Sequence, residues 1–286
     1  MRNTVPGSVE EFQVLKADKR IRHGAYARYQ QNAFAGGVII FESGSYEQGK
    51  KEGEWLTFSQ HRPWNKLISK GTYHAGQPDG WWTYYQPFSS TSTTVAQTVA
   101  LKNGVTVNIN DTTAVMQAQG QYASGKRVGI WTYYGAQGHV VQKINHFTNQ
   151  LVYWRKPDGT ELIGEAAQSH PTLYAGGKEQ LMAEIHQSIG RSIISVISQG
   201  RESISDFVFS IDAAGQLTGV TLAGSTPPTR YEKVLLQALA TVPVAWLAPR
   251  VNGNLQAGEY RARIITHTKA IGGNRAVQTD ILPLGE

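Results

Sequence analysis

The sequence predicts a mainly β chain with an α+β part: an elongated antiparallel repeat sheet followed by a small helix-and-sheet domain. Three observations carry this. First, Gly44-x-Tyr46-x-x-Gly49-x-x-x-Gly53-x-Trp55-x-x-Phe58 recurs as Gly71-x-Tyr73-x-x-Gly76-x-x-x-Gly80-x-Trp82-x-x-Tyr85. It recurs again as Gly120-x-Tyr122-x-x-Gly125-x-x-x-Gly129-x-Trp131-x-x-Tyr134. Such repetition marks a modular array whose units bury surface against their neighbours, and it favours binding over catalysis. Second, the chain holds 30 glycines and 13 tyrosines. Glycine supplies positive φ in turns and tyrosine suits half-buried strands, so the bias points to short hairpins. Third, after Gly164 the pattern becomes helix, hairpin, helix, strand.

Taken in order, residues 1–13 read as a loose arm, and strand character begins at Val14. Gly24-x-Tyr26-x-x-Tyr29 matches the second half of the repeat, which makes Gly24, Gly53, Gly80 and Gly129 equivalent. Within a unit, Gly49 and Gly53 are expected to bracket a polar turn at Lys50-Lys51-Glu52. Pro78-Asp79-Gly80 fills the same slot in the next unit. Gln86–Gln119 interrupts the array. It opens with a polar loop from Ser89 to Thr94, and then offers Val99–Leu101 and Val105–Ile109 around Asn103-Gly104, a hairpin signal. A worn unit is expected at Val140–Trp154. Trp55, Trp82 and Trp131 are read as repeat core rather than as an exposed stacking ladder for sugars or lipid, because large aromatics dominate core energetics.

In the second part, Lys178–Ile189 places Leu181, Ile185 and Ile189 on one helical face. Phe207, Phe209 and Ile211 alternate as in a strand, Asp212-Ala213-Ala214-Gly215 turns the chain, and Leu217–Leu222 returns it. Asp212 is read as a turn cap rather than as half of an acid/base pair with Asp206. Thr226–Val242 is expected to be a helix with Pro228 in its first turn and Tyr231, Leu235, Ala238, Leu239 and Val242 on one face. Trp246 is expected to pack that helix on the sheet, and Tyr260–His267 to be the final strand. The expected domains are 14–165, with an insertion at 86–119, and 166–286.

Composition bounds the function. Charged residues make up 17% and hydrophobic ones 40% of the chain, a globular balance. Most of the net charge of +6 lies in residues 1–165, which hold 17 Lys/Arg against 12 Asp/Glu. That excess suits an anionic surface such as lipid headgroups or an acidic polymer, or solubility alone. No run of Lys/Arg exceeds two, which argues against nucleic acid. The absence of cysteine excludes disulfides and thiolate chemistry. Met1–Arg22 holds no apolar leader core, so the expectation is a cytoplasmic protein, or an envelope protein whose leader lies outside this chain. Histidines 23, 61, 74, 139, 146, 170, 186 and 267 show no metal-ligand spacing, and no nucleophile elbow or phosphate loop occurs. No catalytic residue, metal or cofactor is therefore expected.

The glycine and aromatic spacing over about Val14–Trp154 resembles MORN-type repeats, in particular the bacterial variant of YwqK-like proteins. The resemblance implies a twisted repeat sheet, with Gly44, Tyr46, Gly53, Trp55, Gly71, Tyr73, Gly80, Trp82, Gly120, Tyr122, Gly129 and Trp131 as its structural positions. From roughly Pro171 to Thr268 the chain is similar to the TonB C-terminal domain. The residues that carry this are Tyr174-x-Gly176-Gly177, Phe209-x-Ile211-Asp212-x-x-Gly215-x-Leu217, Ala238, Trp246-x-x-Pro249, Asn252-Gly253 and the strand from Tyr260. That resemblance implies a periplasmic or cell-envelope protein that binds a protein or peptide by strand addition, with an outer-membrane β-barrel transporter as candidate partner. The expected open edge is Tyr260–His267, with Tyr260, Arg261, Arg263 and Ile265 as partner-binding residues. The alternative is a repeat module that binds anionic lipid or a protein partner, antitoxin-like, with the C-terminal domain as a cap.

Overall fold

The structure is a computed structural model that describes residues 7–32, 37–59, 64–86, 93–101, 106–164, 168–189, 202–224, 227–243, 245–271 and 274–284. The chain is mostly β. Its first strands are β1 (Val9–Val14), β2 (Arg22–Asn32), β3 (Gly37–Glu47), β4 (Lys50–Phe58), β5 (Leu67–His74) and β6 (Gln77–Tyr85). Next come β7 (Thr93–Ala100), β8 (Thr106–Ala114), β9 (Met116–Ala123), β10 (Lys126–Tyr134), β11 (Val140–Asn145), β12 (Gln150–Arg155) and β13 (Glu161–Ile163). Eleven of these form one sheet in the order β1-β2-β3-β4-β5-β6-β9-β10-β11-β12-β13, and β7 and β8 form a two-stranded sheet of their own. The chain divides into two compact units, Met1–His139 with Asn145–Phe147, and Val140–Ile144 with Thr148–Glu286.

The hairpin turns sit one step earlier than the sequence suggests. Strand β3 ends at Glu47 and β4 starts at Lys50, so the turn is Gln48-Gly49, with φ of 46° and 82°. Ala75-Gly76 and Ser124-Gly125 repeat it at 50° and 87°, and at 49° and 80°. Two successive positive φ values in a two-residue loop match the twist of antiparallel strands. Lys50-Lys51-Glu52 and Pro78-Asp79-Gly80 are therefore strand, not turn. Gly53, Gly80 and Gly129 keep positive φ for another reason: the ladder slips there. Register moves from Ser43↔Leu56 to Ser45↔Glu52, from Gly71↔Trp82 to Tyr73↔Pro78, and from Val128↔Gln121 to Thr132↔Gln119. The extra residues form a bulge that turns each tryptophan inward. Its indole N–H then donates to a strand carbonyl: Trp55 to Ser45 at 3.1 Å, Trp82 to Thr72 at 2.9 Å, Trp131 to Gln121 at 3.0 Å.

Neighbouring units are tied at the turns. The turn N–H of Gly49 donates to the carbonyl of Arg22, that of Gly76 to Lys51 and that of Gly125 to Pro78, at 2.8–2.9 Å. Each acceptor lies two residues before an equivalent glycine: Gly24, Gly53 and Gly80. The arm begins the sheet rather than preceding it, since Val9–Phe12 pairs with Tyr29–Tyr26.

The insertion is an antiparallel hairpin, paired from Thr93↔Ala114 to Ala100↔Thr106. Its expected turn and most of its polar loop lie outside the described residues. Strand β9 already belongs to the large sheet from Met116, so the insertion ends before Gln119. Val99, Leu101 and Ile109 are buried against Ala27, Tyr29, Ile40, Leu56, Phe58 and Leu67. The hairpin closes an apolar cluster at the ends of the strands opposite the turns.

The second unit adds β14 (Leu173–Tyr174), α1 (Gly177–Ile189), β15 (Glu202–Ile211), β16 (Leu217–Leu222) and α2 (Arg230–Leu239). It continues with β17 (Trp246–Leu247), β18 (Arg250–Val251), β19 (Asn254–Leu255), β20 (Gly258–Ile271) and β21 (Asn274–Pro283). Its main sheet runs β16-β15-β20-β21. Phe207, Phe209 and Ile211 meet Leu181, Ile185, Leu235, Leu239, Trp246 and Ile264 in one core. Helix α2 starts later than expected. Thr229 is its N-cap, and Thr229-x-x-Glu232 forms a capping box. Pro228 thus precedes the helix instead of opening it. Asp212 Oδ1 accepts from the N–H groups of Ala214 and Gln216, a turn cap. Gln142 is buried, and its Oε1 accepts from the Gly176 N–H at 2.7 Å. That bond joins β11 to the segment that enters α1, within the second unit.

Candidate binding surfaces

The repeat rings form one continuous ladder. Tyr26, Tyr46, Trp55, Tyr73, Trp82, Tyr122, Trp131 and His146 follow one another at centroid distances of 5.0–6.1 Å, mostly edge to face. Trp55, Trp82 and Trp131 are buried, so their faces serve the core. The alternating edges and faces satisfy the ring quadrupoles.

A cation rides on this ladder at a repeating position. The Arg22 guanidinium lies 5.4 Å from the Tyr26 and Tyr46 rings and 4.8 Å from Phe12. Lys51 Nζ sits 3.8 Å over Trp55, and the Arg127 guanidinium 4.6 Å over Trp131. Each stands two residues before an equivalent glycine, and Pro78 takes the slot in the second unit. The negative ring face draws the charge. The first two cations also have carboxylates: Arg22 pairs with Glu10 at 2.5 Å and Lys51 with Glu42. The position equivalent to Glu42 is Ser69 in the second repeat and Ala118 in the third. Arg127 is instead held by phenols, donating to Tyr133 at 3.1 Å and Tyr122 at 3.4 Å. Tyr122 also meets the Tyr84 hydroxyl at 3.2 Å, and Tyr133 meets His146 Nε2 at 3.0 Å. Burial pushes the Tyr133 phenol up to about 12. Burial, helped by the charge of Arg127, pushes His146 down to about 4.

The first two turns frame a groove of about 790 Å³ on the same unit. It is lined by Phe12, Lys19, Arg20, Arg22, Tyr46, Gly49, Lys50, Lys51 and Gly76. Five of these are cations and none is a carboxylate. Asp18 holds Arg20 through two hydrogen bonds of 2.9–3.0 Å, and Glu10 and Glu42 hold Arg22 and Lys51 from outside the lining. Lys19 and Lys50 are exposed and form no ion pair among the described residues. From the sequence, Lys50 and Lys51 are expected only as a polar turn, and Lys19, Arg20 and Arg22 only as part of the basic excess of residues 1–165. A basic residue two before the glycine, at Arg22 and Lys51 as at Arg127 outside the groove, is the signal in the sequence that points to two of them.

The C-terminal edge requires a correction. Tyr260–His267 belongs to β20, which is interior: it pairs with β15 from Ile211↔Gly258 to Glu202↔His267, and with β21 from Ala262↔Pro283 to Ile271↔Asn274. The added strand β21 takes the place a partner strand would need, so Tyr260, Arg261, Arg263 and Ile265 do not form an open edge. Tyr260 is buried with Trp246 and Phe209. Arg263 forms a two-bond pair with Asp206 at 2.8 and 2.9 Å, and Arg261 pairs with Glu259 at 2.9 Å. Ile265 is half-buried. On the other side, among the described residues, the sheet ends at β16. Ala223 N–H donates to Asp206, and Val208↔Thr221 and Ser210↔Gly219 are in register. Alternation then turns the backbone groups of Val220 and Leu222 away from β15.

Among the described residues, no group of three or more His, Asp or Glu side chains is placed to hold a metal ion, and no helix is long and apolar enough to cross a membrane. Comparisons of the chain with protein-family models, curated proteins and solved structures returned no match.

Proposed function

We propose that this is a non-catalytic binding protein of the bacterial cell envelope. The repeat sheet serves as a stiff docking surface, and the C-terminal domain takes an extended segment of a protein partner by strand addition. The observation that carries this reading is the outer side of β16, unpaired among the described residues, where Val220 and Leu222 offer backbone donors and acceptors in line. Such an edge is a template for one more strand. The resemblance to the TonB C-terminal domain makes an outer-membrane β-barrel transporter the first partner to try.

The test is Val220→Pro in the full chain. The Val220 N–H makes no bond to β15, so proline there removes an outward donor while sparing the ladder. A partner retained from envelope extract by the parent chain and lost with the variant supports the reading. A partner retained equally by both, or no envelope partner at all, overturns it.

A further inference from the structure

The groove between the first turns is a second binding surface, independent of the C-terminal edge. We infer that it receives an extended acidic segment of a polypeptide partner. Its lining is unbalanced, with Lys19, Arg20, Arg22, Lys50 and Lys51 facing one cavity and no carboxylate among them. The two arginines and Lys51 are held in place by Asp18, Glu10 and Glu42. Their positions are therefore set before any ligand arrives. Among the described residues, Lys19 and Lys50 are the two groove charges left for a ligand to pair.

Shape favours a chain over a membrane. A lipid surface is flat and rewards apolar side chains that project from a basic face. Here the cations line a hollow, and the turn residues at its rim, Gln48-Gly49 and Ala75-Gly76, project no large apolar group. The exposed Trp81, Ile130 and Phe147 are outside the lining. Spacing agrees. Lys19 lies in the connection that leads into β2 and Lys50 opens β4, two strands on, about 10 Å at ~4.8 Å per strand. Every third side chain of an extended polyproline-like segment falls on one side at about 9 Å. Phe12 and Tyr46 also line the groove, and the Arg22 guanidinium lies over both rings. Phosphate polymers would need a longer basic track than five residues in one hollow.

The probe is labelled deca-glutamate, titrated into the full chain at low and high salt and read by fluorescence anisotropy. Expected is binding that weakens as salt rises, with a loss of about tenfold or more in Lys19→Glu/Lys50→Glu. Both lysines are exposed, so the variant keeps its fold. Lys126→Glu/Lys178→Glu makes the same change in net charge at lysines that do not line the groove and is expected to shift affinity by less than about twofold. Equal losses in the two variants would mean attraction by net charge alone and would overturn the site. So would absence of peptide binding by the parent chain. A third arm uses vesicles of one part phosphatidylglycerol to three parts phosphatidylcholine. Flotation that depends on Lys19 and Lys50, without peptide binding, would assign the groove to lipid and overturn the inference.

Discussion

The indole of Trp82 lies so close to the Cα of Gly71 that a Cβ on that glycine would come 2.1 Å from ring Cδ2. Gly44 stands in the same relation to Trp55 at 2.3 Å, and Gly120 to Trp131 at 2.4 Å. None of these glycines has φ in the left-handed region, so what fixes them is space. The first glycine of each repeat is a seat for a ring, while the later two shape the backbone.

Gly71→Ala is therefore expected to cost at least about 1–3 kcal/mol, as overpacking does, because the obstacle is a buried ring with no room to retreat. Gly129→Ala is the contrast: it meets nothing within 4 Å but has φ of 62°, and strain alone predicts about 1–2 kcal/mol. Urea unfolding gives both numbers. Tryptophan emission of the folded state separates the causes, shifting in Gly71→Ala and not in Gly129→Ala. An unmoved emission and midpoint in Gly71→Ala would refute the seat.

The repeat was legible because glycine and tryptophan recur at fixed spacing, and each has one physical job. The turn was misplaced because Gly49 and Gly53 both have positive φ, and only hydrogen-bond register tells a hairpin turn from a bulge. The first strand was missed because Val9–Val14 carries two glutamates in six residues. Those charges are natural on an edge strand and faint as a pattern. The interior place of β20 was illegible for a similar reason. Asn274–Pro283 is polar and ends in proline, yet its pairing with β20 is what removes the predicted edge. The basic groove joins Lys19 and Arg20, from the connection before β2, to Lys50 and Lys51 at the start of β4, which no local reading brings together.

The insertion makes a separate prediction. Ile109 is buried at 3% exposure in the cluster that the hairpin shares with Tyr29, Ile40, Phe58 and Leu67. If the hairpin is part of the core of this unit, Ile109→Ala costs about 2–4 kcal/mol. Thr106→Ala, on the same strand but exposed, stays within about 0.5 kcal/mol of the parent. Denaturant midpoints of the two variants decide the matter. A small effect at Ile109 would mean that the hairpin opens freely and the cluster is closed without it.

His146 gives the array a pH dependence of known sign. Tyr133 donates its hydroxyl hydrogen to neutral His146 Nε2, which leaves the phenol oxygen to accept from Arg127. Burial and the nearby guanidinium hold the imidazole at about 4, below its ordinary 6.5. The unfolded chain therefore takes up this proton first as pH falls. The contribution to stability is whole above pH 6.5 and is lost progressively toward pH 4, on the order of 2–3 kcal/mol with allowance for partial exposure. His146→Gln keeps a hydrogen-bonding side chain that does not titrate in this range. Its stability is expected to fall less between pH 6.5 and 4 than that of the parent chain, whatever the carboxylates add to both. Arg127→Met tests the cause: without the cation the imidazole moves back toward its ordinary range, and the acid loss assigned to His146 shrinks. Identical pH profiles for the parent and His146→Gln would show that the imidazole charges without penalty, and that the hydrogen-bonded chain from Tyr84 to His146 does not control its proton.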